Sequence, residues 1–328
     1  MTSPIRWGVL ATGRIARDFT TDLTLVPDAE VVAVASRSQE PADRFAAEHD
    51  IGRAYASWQQ LADDPDVDVV YVATPHNAHF AATKLMLEAG KAVLCEKSFT
   101  VTAAAAHELI DIARANNVFV AEAMWMRANP GVRRIAALIT DGAIGEIKSL
   151  HGEFCIRAPL DPANRLRNPD LAGGAMLDLG VYPVSLAQLL LGTPSSIQAT
   201  AKLTDQGVDE TTGVLLGYPS GAHAALSCSI ASSGPVHSTI IGETGYISLP
   251  AQFHHPQQFT LQPFDGPAVV EEHAFDGNGL RFQAIEVGRC LREGLTESPL
   301  LPHAGTLAVM DTMDEALRQV GVHYPQGA

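Results

Sequence analysis

Two pairs of side chains in this sequence have the types and spacing that proton-transfer chemistry requires. Glu96 and Lys97 end a short apolar run, and such a run predicts a buried parallel strand with a ligand site at its tip. The alternative is a surface ion pair at a strand end. Asp178 and Tyr182 lie four residues apart in an apolar helical segment, so on a helix they share one face. They are either functional or joined in buried structural hydrogen bonds.

A strand, a glycine turn and a helix open the chain in the order that a dinucleotide site requires. Residues 5–10 have a strand pattern, and a helical pattern follows the turn. Ala11, Gly13 and Ala16 give a degenerate form of the G-x-G-x-x-G/A fingerprint. Gly13 allows the backbone to approach a pyrophosphate at the helix N-terminus. An ordinary strand-to-helix turn is the alternative. The cofactor-binding residues predicted here are Thr12, Gly13, Arg14 and Ile15.

The end of the next strand favours NADP over NAD. Residues 30–36 are apolar and end in Ser36 and Arg37, where an NAD-binding chain usually carries Asp or Glu. A hydroxyl and a guanidinium suit a ribose 2′-phosphate, and Arg14 offers a second cation. The alternative for Arg37 is a charge on a solvated loop.

A third strand, residues 66–73, ends in a cluster of polar side chains. Polar residues at the carboxyl end of a parallel strand indicate a ligand crevice. His76 and His79 have a spacing that a metal pair can use, but no third ligand lies near them in the sequence, and we predict no metal. A histidine hydrogen-bonded inside the crevice is the favoured interpretation. The residues of this segment predicted to contact cofactor or substrate are Thr74, Pro75, His76, Asn77 and His79.

The arrangement of elements predicts two domains. Strands and helices alternate through residues 1–122, which predicts a doubly wound parallel sheet of the Rossmann type. Residues 123–328 are predicted to form an α/β domain with a large, mainly antiparallel, open-faced sheet, whose seven predicted strands lie between residues 197 and 273. A polar loop is expected at 157–170 and a helix from 173 to 191. His254 and His255 are expected in a solvated loop.

Composition limits the classes of function. The chain has 328 residues, 46% of them hydrophobic, and a net charge of −15, which argues against binding to nucleic acid or to anionic membranes. Four scattered cysteines without a CxxC pair fit a reduced, cytoplasmic compartment. The first residues lack the apolar core of a signal peptide, and no apolar run approaches the ~20 residues of a membrane span.

Taken together, these motifs resemble the Gfo/Idh/MocA oxidoreductases. The resemblance rests on the turn at 8–16, on 74–79, on Glu96-Lys97, and on Gly173-Gly174 with Asp178 and Tyr182. It runs from the first strand to the last helix. The segments 121–127, 177–183 and 297–299 are similar to dimeric trans-dihydrodiol dehydrogenases and NADP-dependent D-xylose 1-dehydrogenases.

The resemblance implies reversible hydride transfer between a sugar, polyol or dihydrodiol hydroxyl and NADP. It implies that Lys97 is the catalytic lysine, that Tyr182 takes the proton, and that Asp178 is the acidic residue one turn earlier. A nearby ammonium such as that of Lys97 favours the phenolate of Tyr182. Glu96 is expected to hold Lys97 beside the cofactor. The predicted substrate-binding residues are His76, Trp125, Arg127, Asp178 and Tyr182. A homodimer or higher homo-oligomer through the second sheet is also implied.

Two departures and two alternatives accompany this resemblance. The first glycine of the fingerprint is Ala11 here, which leaves less room near the pyrophosphate. The family commonly has Glu-Lys-Pro where this chain has Ser98, which leaves the local backbone less restrained. A 1,5-anhydrofructose or other keto-sugar reductase is the nearest alternative activity. A non-catalytic NADP-binding regulatory protein is an alternative of another class, which loss of the Lys97 and Tyr182 pair would have indicated.

Overall fold

The computed structural model describes residues 3–325, and their contacts divide into two compact units. The first unit comprises the chain up to Thr100, then Ala104–Trp125 and Asp276–His303. The second comprises Val101–Ala103, Met126–Phe275 and the chain from Ala304. The sequence pattern predicts a single boundary at residue 122. The contacts differ from it because a later segment, 276–303, also belongs to the first unit.

The first unit is built on a six-stranded parallel sheet. Its strand order is β3-β2-β1-β4-β5-β6, in which the direction of winding reverses between β1 and β4. The strands are β1 (Ile5–Leu10), β2 (Ala29–Ala35), β3 (Arg53–Tyr55), β4 (Val69–Val72), β5 (Ala92–Glu96) and β6 (Val120–Ala123). The helices of this alternating region are α1 (Arg14–Leu23), α2 (Gln39–His49), α3 (Trp58–Ala62), α4 (His76–Glu88) and α5 (Ala103–Asn116). This arrangement confirms the predicted doubly wound fold.

Strand β3 is absent from the sequence prediction. It has three half-buried residues, and its first residue is Arg53, which pairs with Asp64 at 3.0 Å and Asp66 at 2.9 Å. A strand this short, half-exposed and charged has no apolar run that reveals it. Its register follows from pairing with β2, where Ala33 lies opposite Arg53.

A helix from late in the chain completes the first unit. The N-terminus of helix α9 (Arg281–Arg292) lies against the carboxylate of Asp22. Asp22 is near the end of α1 and is 1% exposed. The Oδ1 of Asp22 accepts from the backbone N–H of Asn278 at 2.8 Å, and Oδ2 accepts from Leu280 at 2.7 Å. The buried carboxylate therefore satisfies N–H groups at the start of a helix more than 250 residues away.

The second unit contains an eight-stranded sheet. Its order is β14-β13-β12-β11-β7-β10-β9-β8, and within residues 3–325 only β7 and β10 of this sheet pair in parallel. The strands are β7 (Ile147–Cys155), β8 (Ser196–Leu203), β9 (Asp209–Gly217), β10 (His223–Ser229), β11 (Ser238–Gly242), β12 (Gly245–Leu249), β13 (Gln258–Pro263) and β14 (Val269–Glu272). The helices are α6 (Trp125–Ala128), α7 (Pro130–Thr140), α8 (Val181–Leu191) and α10 (His303–Val320). The predicted mainly antiparallel sheet is confirmed.

Helix α8 and the turn before it cover one face of this sheet. Strand β8 alternates between exposed and half-buried residues, and β9 exposes Leu215 to 44% on the other face. A shallow depression on that face is lined by side chains of β8, β9 and β10, including Gln198, Thr200 and Ser227. The predicted open-faced sheet is present within this unit.

The helical stretch Pro169–Leu191 is long and apolar enough, by length and composition, to cross a membrane. It was not predicted from the sequence because polar residues interrupt its apolar runs. In its most apolar window 78% of the residues are buried inside the protein, as in the core helix of a globular domain.

Candidate active site

The turn after β1 leaves the N-terminus of α1 open at the carboxyl edge of the first sheet. Gly13 precedes the helix with φ −76°, no side chain caps the helix, and a Cβ at Gly13 would meet nothing within 4 Å. The protein itself therefore does not require a glycine here. Open space before uncapped N–H groups fits a pyrophosphate of a bound dinucleotide. Thr12 and Ile15 are half-buried beside it, and Arg14 is exposed.

Ala11 occupies the first fingerprint position in a glycine-like backbone conformation. Its φ is 97°, and its N–H donates to the carbonyl of Ala35 at 2.9 Å. A side chain with φ in this range crowds the neighbouring carbonyl oxygen. The hydrogen bond holds the turn in this conformation although the residue is an alanine.

Ser36 and Arg37 follow β2 at the same edge. The N–H of Ser36 donates to the carbonyl of Tyr55 at 3.0 Å, which fixes the start of the loop. Arg37 is exposed, and within residues 3–325 neither it nor Arg14 forms an ion pair. Cations without an acidic partner among these residues fit a phosphate of the ligand.

His79 joins the loops that follow β4 and β5. Its side chain is completely buried, Nδ1 lies 2.7 Å from the carbonyl of Ser98, and Nε2 lies 2.8 Å from the carbonyl of Thr74. Burial lowers the pKa of His79, and these two carbonyl oxygens oppose that change. The geometry favours a positioning role for the ring over the predicted contact with the cofactor.

Thr74 carries the clearest sign of a ligand in this loop. Its Oγ1 is buried and has no hydrogen-bond partner within the described chain. A buried hydroxyl in this state usually has a partner that is not protein. Pro75, His76 and Asn77 follow, and α4 begins at His76, which is 8% exposed.

The predicted absence of a metal stays a prediction. The His76 and His79 rings lie 5.5 Å apart between centroids. Among residues 3–325 no group of three or more His, Cys, Asp or Glu side chains has the arrangement of a metal site.

Glu96 and Lys97 lie at the carboxyl end of β5, as the sequence predicts. Glu96 is 5% exposed and accepts from the hydroxyl of Tyr71 and from the N–H of Lys97, the latter at 3.2 Å. Burial raises the pKa of Glu96 to about 7, while Tyr71 and the charge of Lys97 oppose the change. The Lys97–Ser98 peptide bond is cis. A half-buried lysine backed by a buried carboxylate can hydrogen-bond an oxygen on which negative charge develops.

In the second unit, Asp178 is held by a partner that the sequence analysis did not identify. Arg165 donates from its two terminal nitrogens to Oδ1 at 3.2 Å and to Oδ2 at 3.1 Å. Asp178 lies in a π-helical turn, Met176–Gly180, where the sequence predicts an ordinary α-helix. Such turns occur often at functional sites. This pairing favours a role for Asp178 in orienting the guanidinium of Arg165 over a role as an independent acid or base.

The Gly173-Gly174 pair has a structural explanation. A Cβ at Gly173 would lie 2.6 Å from the carbonyl oxygen of Arg165, and one at Gly174 would lie 2.2 Å from Oδ1 of Asp209. Gly174 also has φ +119°. Asp209 is fully buried, accepts from the N–H of Met176 at 2.7 Å, and has its pKa raised to about 7 by burial. Asp209 therefore supports the start of the segment that carries Asp178.

Tyr182 is the second residue of helix α8 and lies in an aromatic cluster. It is 5% exposed, and its ring centroid lies 5.3 Å from that of Phe154 and 4.9 Å from that of His254. The expectation that His254 is solvated is wrong, since it is 6% exposed and packs on both rings. Its sequence context, a polar loop with no periodicity, gave no sign of this packing.

Arg127 is engaged by the same helix. It is 6% exposed, and its Nε donates to Oγ of Ser185 at 2.9 Å, while another nitrogen donates to the side chain of Gln188. These contacts favour a role in holding α8, one turn beyond Tyr182, over the predicted contact with substrate. Trp125, in the first unit, is half-buried at the start of α6.

Comparisons with known proteins agree with this architecture. Residues 5–124 match the oxidoreductase family with an NAD-binding Rossmann fold, and residues 132–248 match the Gfo/Idh/MocA C-terminal domain. The chain is 37% identical to trans-1,2-dihydrobenzene-1,2-diol dehydrogenase of Mus musculus, over 98% of each chain. It is 39% identical to the enzyme of the same name from Xenopus laevis, over 98% of this chain and 99% of the other.

Solved structures give the same result. A 3-ketoreductase from Actinomadura kijaniata in complex with NADP has a TM-score of 0.82 at 26% identity, over 97% of this chain and 98% of the other. Forms of that ketoreductase with a lysine replaced by alanine and with a tyrosine replaced by phenylalanine are also similar to this chain. An aldose-aldose oxidoreductase from Caulobacter crescentus shares the fold, with a TM-score of 0.88 at 23% identity, over 97% of this chain and 98% of the other.

Proposed function

The chain belongs to the Gfo/Idh/MocA oxidoreductase family and is an NAD(P)-dependent dehydrogenase of diols or sugars; we propose that it uses NADP and oxidises a trans-dihydrodiol or an aldose. The observation that carries the proposal is Lys97, placed at the carboxyl edge of a dinucleotide-binding sheet and backed by the buried Glu96. The full-length relatives from mouse and frog, both named as dihydrodiol dehydrogenases, support the substrate class.

The preference for NADP rests on the exposed cations of the first unit. Arg37, after β2, is assigned to the ribose 2′-phosphate with Ser36 beside it, and Arg14 adds positive charge. The similar ketoreductase was solved with NADP, which supports this choice. The N–H groups of α1 and the hydroxyl of Thr74 are assigned to the rest of the dinucleotide.

The reaction is R₂CHOH + NADP⁺ ⇌ R₂C=O + NADPH + H⁺. The chemistry that the nicotinamide supplies when bound is acceptance or donation of a hydride. In the direction of oxidation Tyr182 takes the hydroxyl proton on its phenolate oxygen. Lys97 donates a hydrogen bond to the substrate oxygen and stabilises its developing negative charge. Glu96 holds the backbone of Lys97 and, with a pKa near 7, bears a partial negative charge at neutral pH.

A keto-sugar reductase is the second candidate. The same residues run the reaction in reverse, with Tyr182 returning a proton to the alkoxide. The similarity to a 3-ketoreductase of Actinomadura kijaniata favours this alternative. D-xylose and 1,5-anhydrofructose are the substrates that separate oxidation of an aldose from reduction of a keto-sugar.

The assembly and the compartment are also proposals. We infer a homodimer or higher homo-oligomer through the open face of the second sheet, where Leu215 and small side chains are exposed. A cytoplasmic location is supported by the four cysteines, which are free thiols.

A spectrophotometric screen tests the proposed function. Aldoses, cyclic polyols, trans-dihydrodiols and 1,5-anhydrofructose are offered with NADP(H) and NAD(H), and absorbance of the reduced nicotinamide is followed. We expect turnover of a diol or sugar with NADP at a higher kcat/KM than with NAD. Binding of NADP with no turnover of any of these compounds would favour the regulatory-protein alternative.

A further inference from the structure

We propose that Arg165 is a substrate-binding residue that recognises the oxygen carried by the carbon adjacent to the reacting carbon. The enzyme would thereby select vicinal diols and α-hydroxy carbonyl compounds. This inference rests on the proposed function and names the substrate feature that its second unit recognises. It concerns a residue of the loop between β7 and the π-helical turn, to which no role was assigned from the sequence.

The pairing with Asp178 presents the guanidinium of Arg165 in one orientation. Both terminal nitrogens contact the carboxylate, at 3.2 and 3.1 Å, and the side chain of Asp178 is only 8% exposed. Two parallel hydrogen bonds between planar groups fix the guanidinium more firmly than a single contact does. A ligand therefore meets a donor that is already oriented.

Arg165 keeps donors available on the side away from Asp178. A guanidinium has five N–H donors, and the carboxylate takes two of them. Its side chain is 57% exposed, and within the described residues no other acceptor engages it. An exposed, oriented fork of N–H groups can bind the oxygen of a hydroxyl or carbonyl.

The backbone beneath Arg165 is fixed as well. Leu166 donates its N–H to the side chain of Asn164 at 3.0 Å and accepts from the N–H of Gly174 at 2.9 Å. Gly173 lies so close to the carbonyl of Arg165 that a Cβ would be 2.6 Å from it. The loop is thus tied to the segment that carries Asp178 and Tyr182.

The spacing and the charge define the ligand. Asp178 lies four residues before Tyr182, and the π-helical turn that carries it runs directly into helix α8, which carries Tyr182. A guanidinium held by Asp178 therefore donates to a substrate oxygen close to the oxygen that loses its proton to Tyr182. The Arg165–Asp178 pair has no net charge, which suits a neutral polyol more than a carboxylate or phosphate ester.

The test compares substrates that differ in one hydroxyl. trans-Cyclohexane-1,2-diol is paired with cyclohexanol, and D-glucose with 2-deoxy-D-glucose, and kcat/KM is measured with NADP for each. The variants are Arg165→Met and Arg165→Lys. Arg157→Met is the matched control, because Arg157 is an exposed arginine of the same loop without an ion pair in the described chain.

We expect Arg165→Met to lower kcat/KM for the hydroxylated member of a pair by about 10- to 100-fold, mainly through KM, with the deoxy compound changed less than threefold. Arg165→Lys should recover part of the loss, and Arg157→Met should behave as wild type. Equal losses on both members, or an unchanged ratio, would overturn the inference while leaving the proposed dehydrogenase intact. If wild type turned over neither member of either pair nor any compound of the wider screen, the proposed function would fail and the inference with it.

Discussion

Replacing Ala11 by glycine should stabilise the first unit. Ala11 has φ 97°, a conformation that costs a residue with a Cβ about 1–3 kcal/mol. Glycine removes that cost, but it adds about 0.4–1 kcal/mol of conformational entropy to the unfolded chain. The net expectation is an increase of about 0.5–2 kcal/mol in the free energy of unfolding.

Intrinsic fluorescence can follow this unit alone. The three tryptophans, Trp7, Trp58 and Trp125, all lie within it, and Trp7 is fully buried. Urea unfolding monitored by tryptophan emission therefore reports on the domain that contains Ala11, and the midpoint should rise with an unchanged slope.

Ala16→Gly is the control for this prediction. Ala16 is also a fingerprint position, but it is buried inside α1. Glycine there loses helix propensity and a buried methyl group, so the free energy of unfolding should fall by about 1–2 kcal/mol. A destabilised Ala11→Gly variant, or equal effects of the two changes, would refute the assignment of strain to Ala11.

Four further predictions concern the site. Lys97→Met should lower kcat by about 100- to 1,000-fold while NADP still quenches tryptophan fluorescence with a near-normal Kd; wild-type turnover would remove Lys97 from the mechanism. Ser36→Asp combined with Arg37→Ala should lower the NADP/NAD ratio of kcat/KM by at least tenfold, and an unchanged ratio would contradict the cofactor assignment. The pKa of Glu96 is raised from 4.5 to about 7, so Glu96 contributes about 3 kcal/mol to the free energy of unfolding below pH 4.5, and this contribution is lost as the pH rises through 7. The Glu96→Gln variant should lack this pH dependence in urea unfolding. Gly174→Ala should destabilise the second unit by at least about 2 kcal/mol, measured by thermal unfolding, because its Cβ would collide with Asp209 and its φ is positive; a normal melting temperature would show that the turn can rearrange.

The elements that position the site follow from local patterns. Apolar runs that end in polar residues locate the carboxyl ends of β1, β2, β4 and β5. Parallel strands buried on both faces are apolar along their whole length, so the first polar residue marks the strand end. The same reasoning places Lys97 at an edge and Asp178 and Tyr182 on one helical segment. These signals depend only on neighbours in the sequence.

Contacts across long separations were not predictable in this way. The ion pair between Arg165 and Asp178 depends on the path of an irregular loop. The packing of His254 on Tyr182 brings together residues that no sequence periodicity relates. The π-helical turn also has no distinctive composition, since it adds one residue to an otherwise helical pattern. A single sequence specifies such features only through the complete fold.

The carboxylate of Asp22 has a consequence for the order in which the protein is made. The backbone N–H groups that donate to it belong to residues 278–281, and the segment 276–303 is part of the first unit. At 5–20 residues per second, a ribosome that has passed Trp125 needs roughly 10–35 s more to deliver that segment. During this interval the nascent nucleotide-binding domain lacks α9, and the carboxylate of Asp22 lacks the N–H groups that it accepts from in the complete protein. Its completion must therefore wait for synthesis of nearly the whole second unit, so the two units mature together although one begins far earlier in the chain.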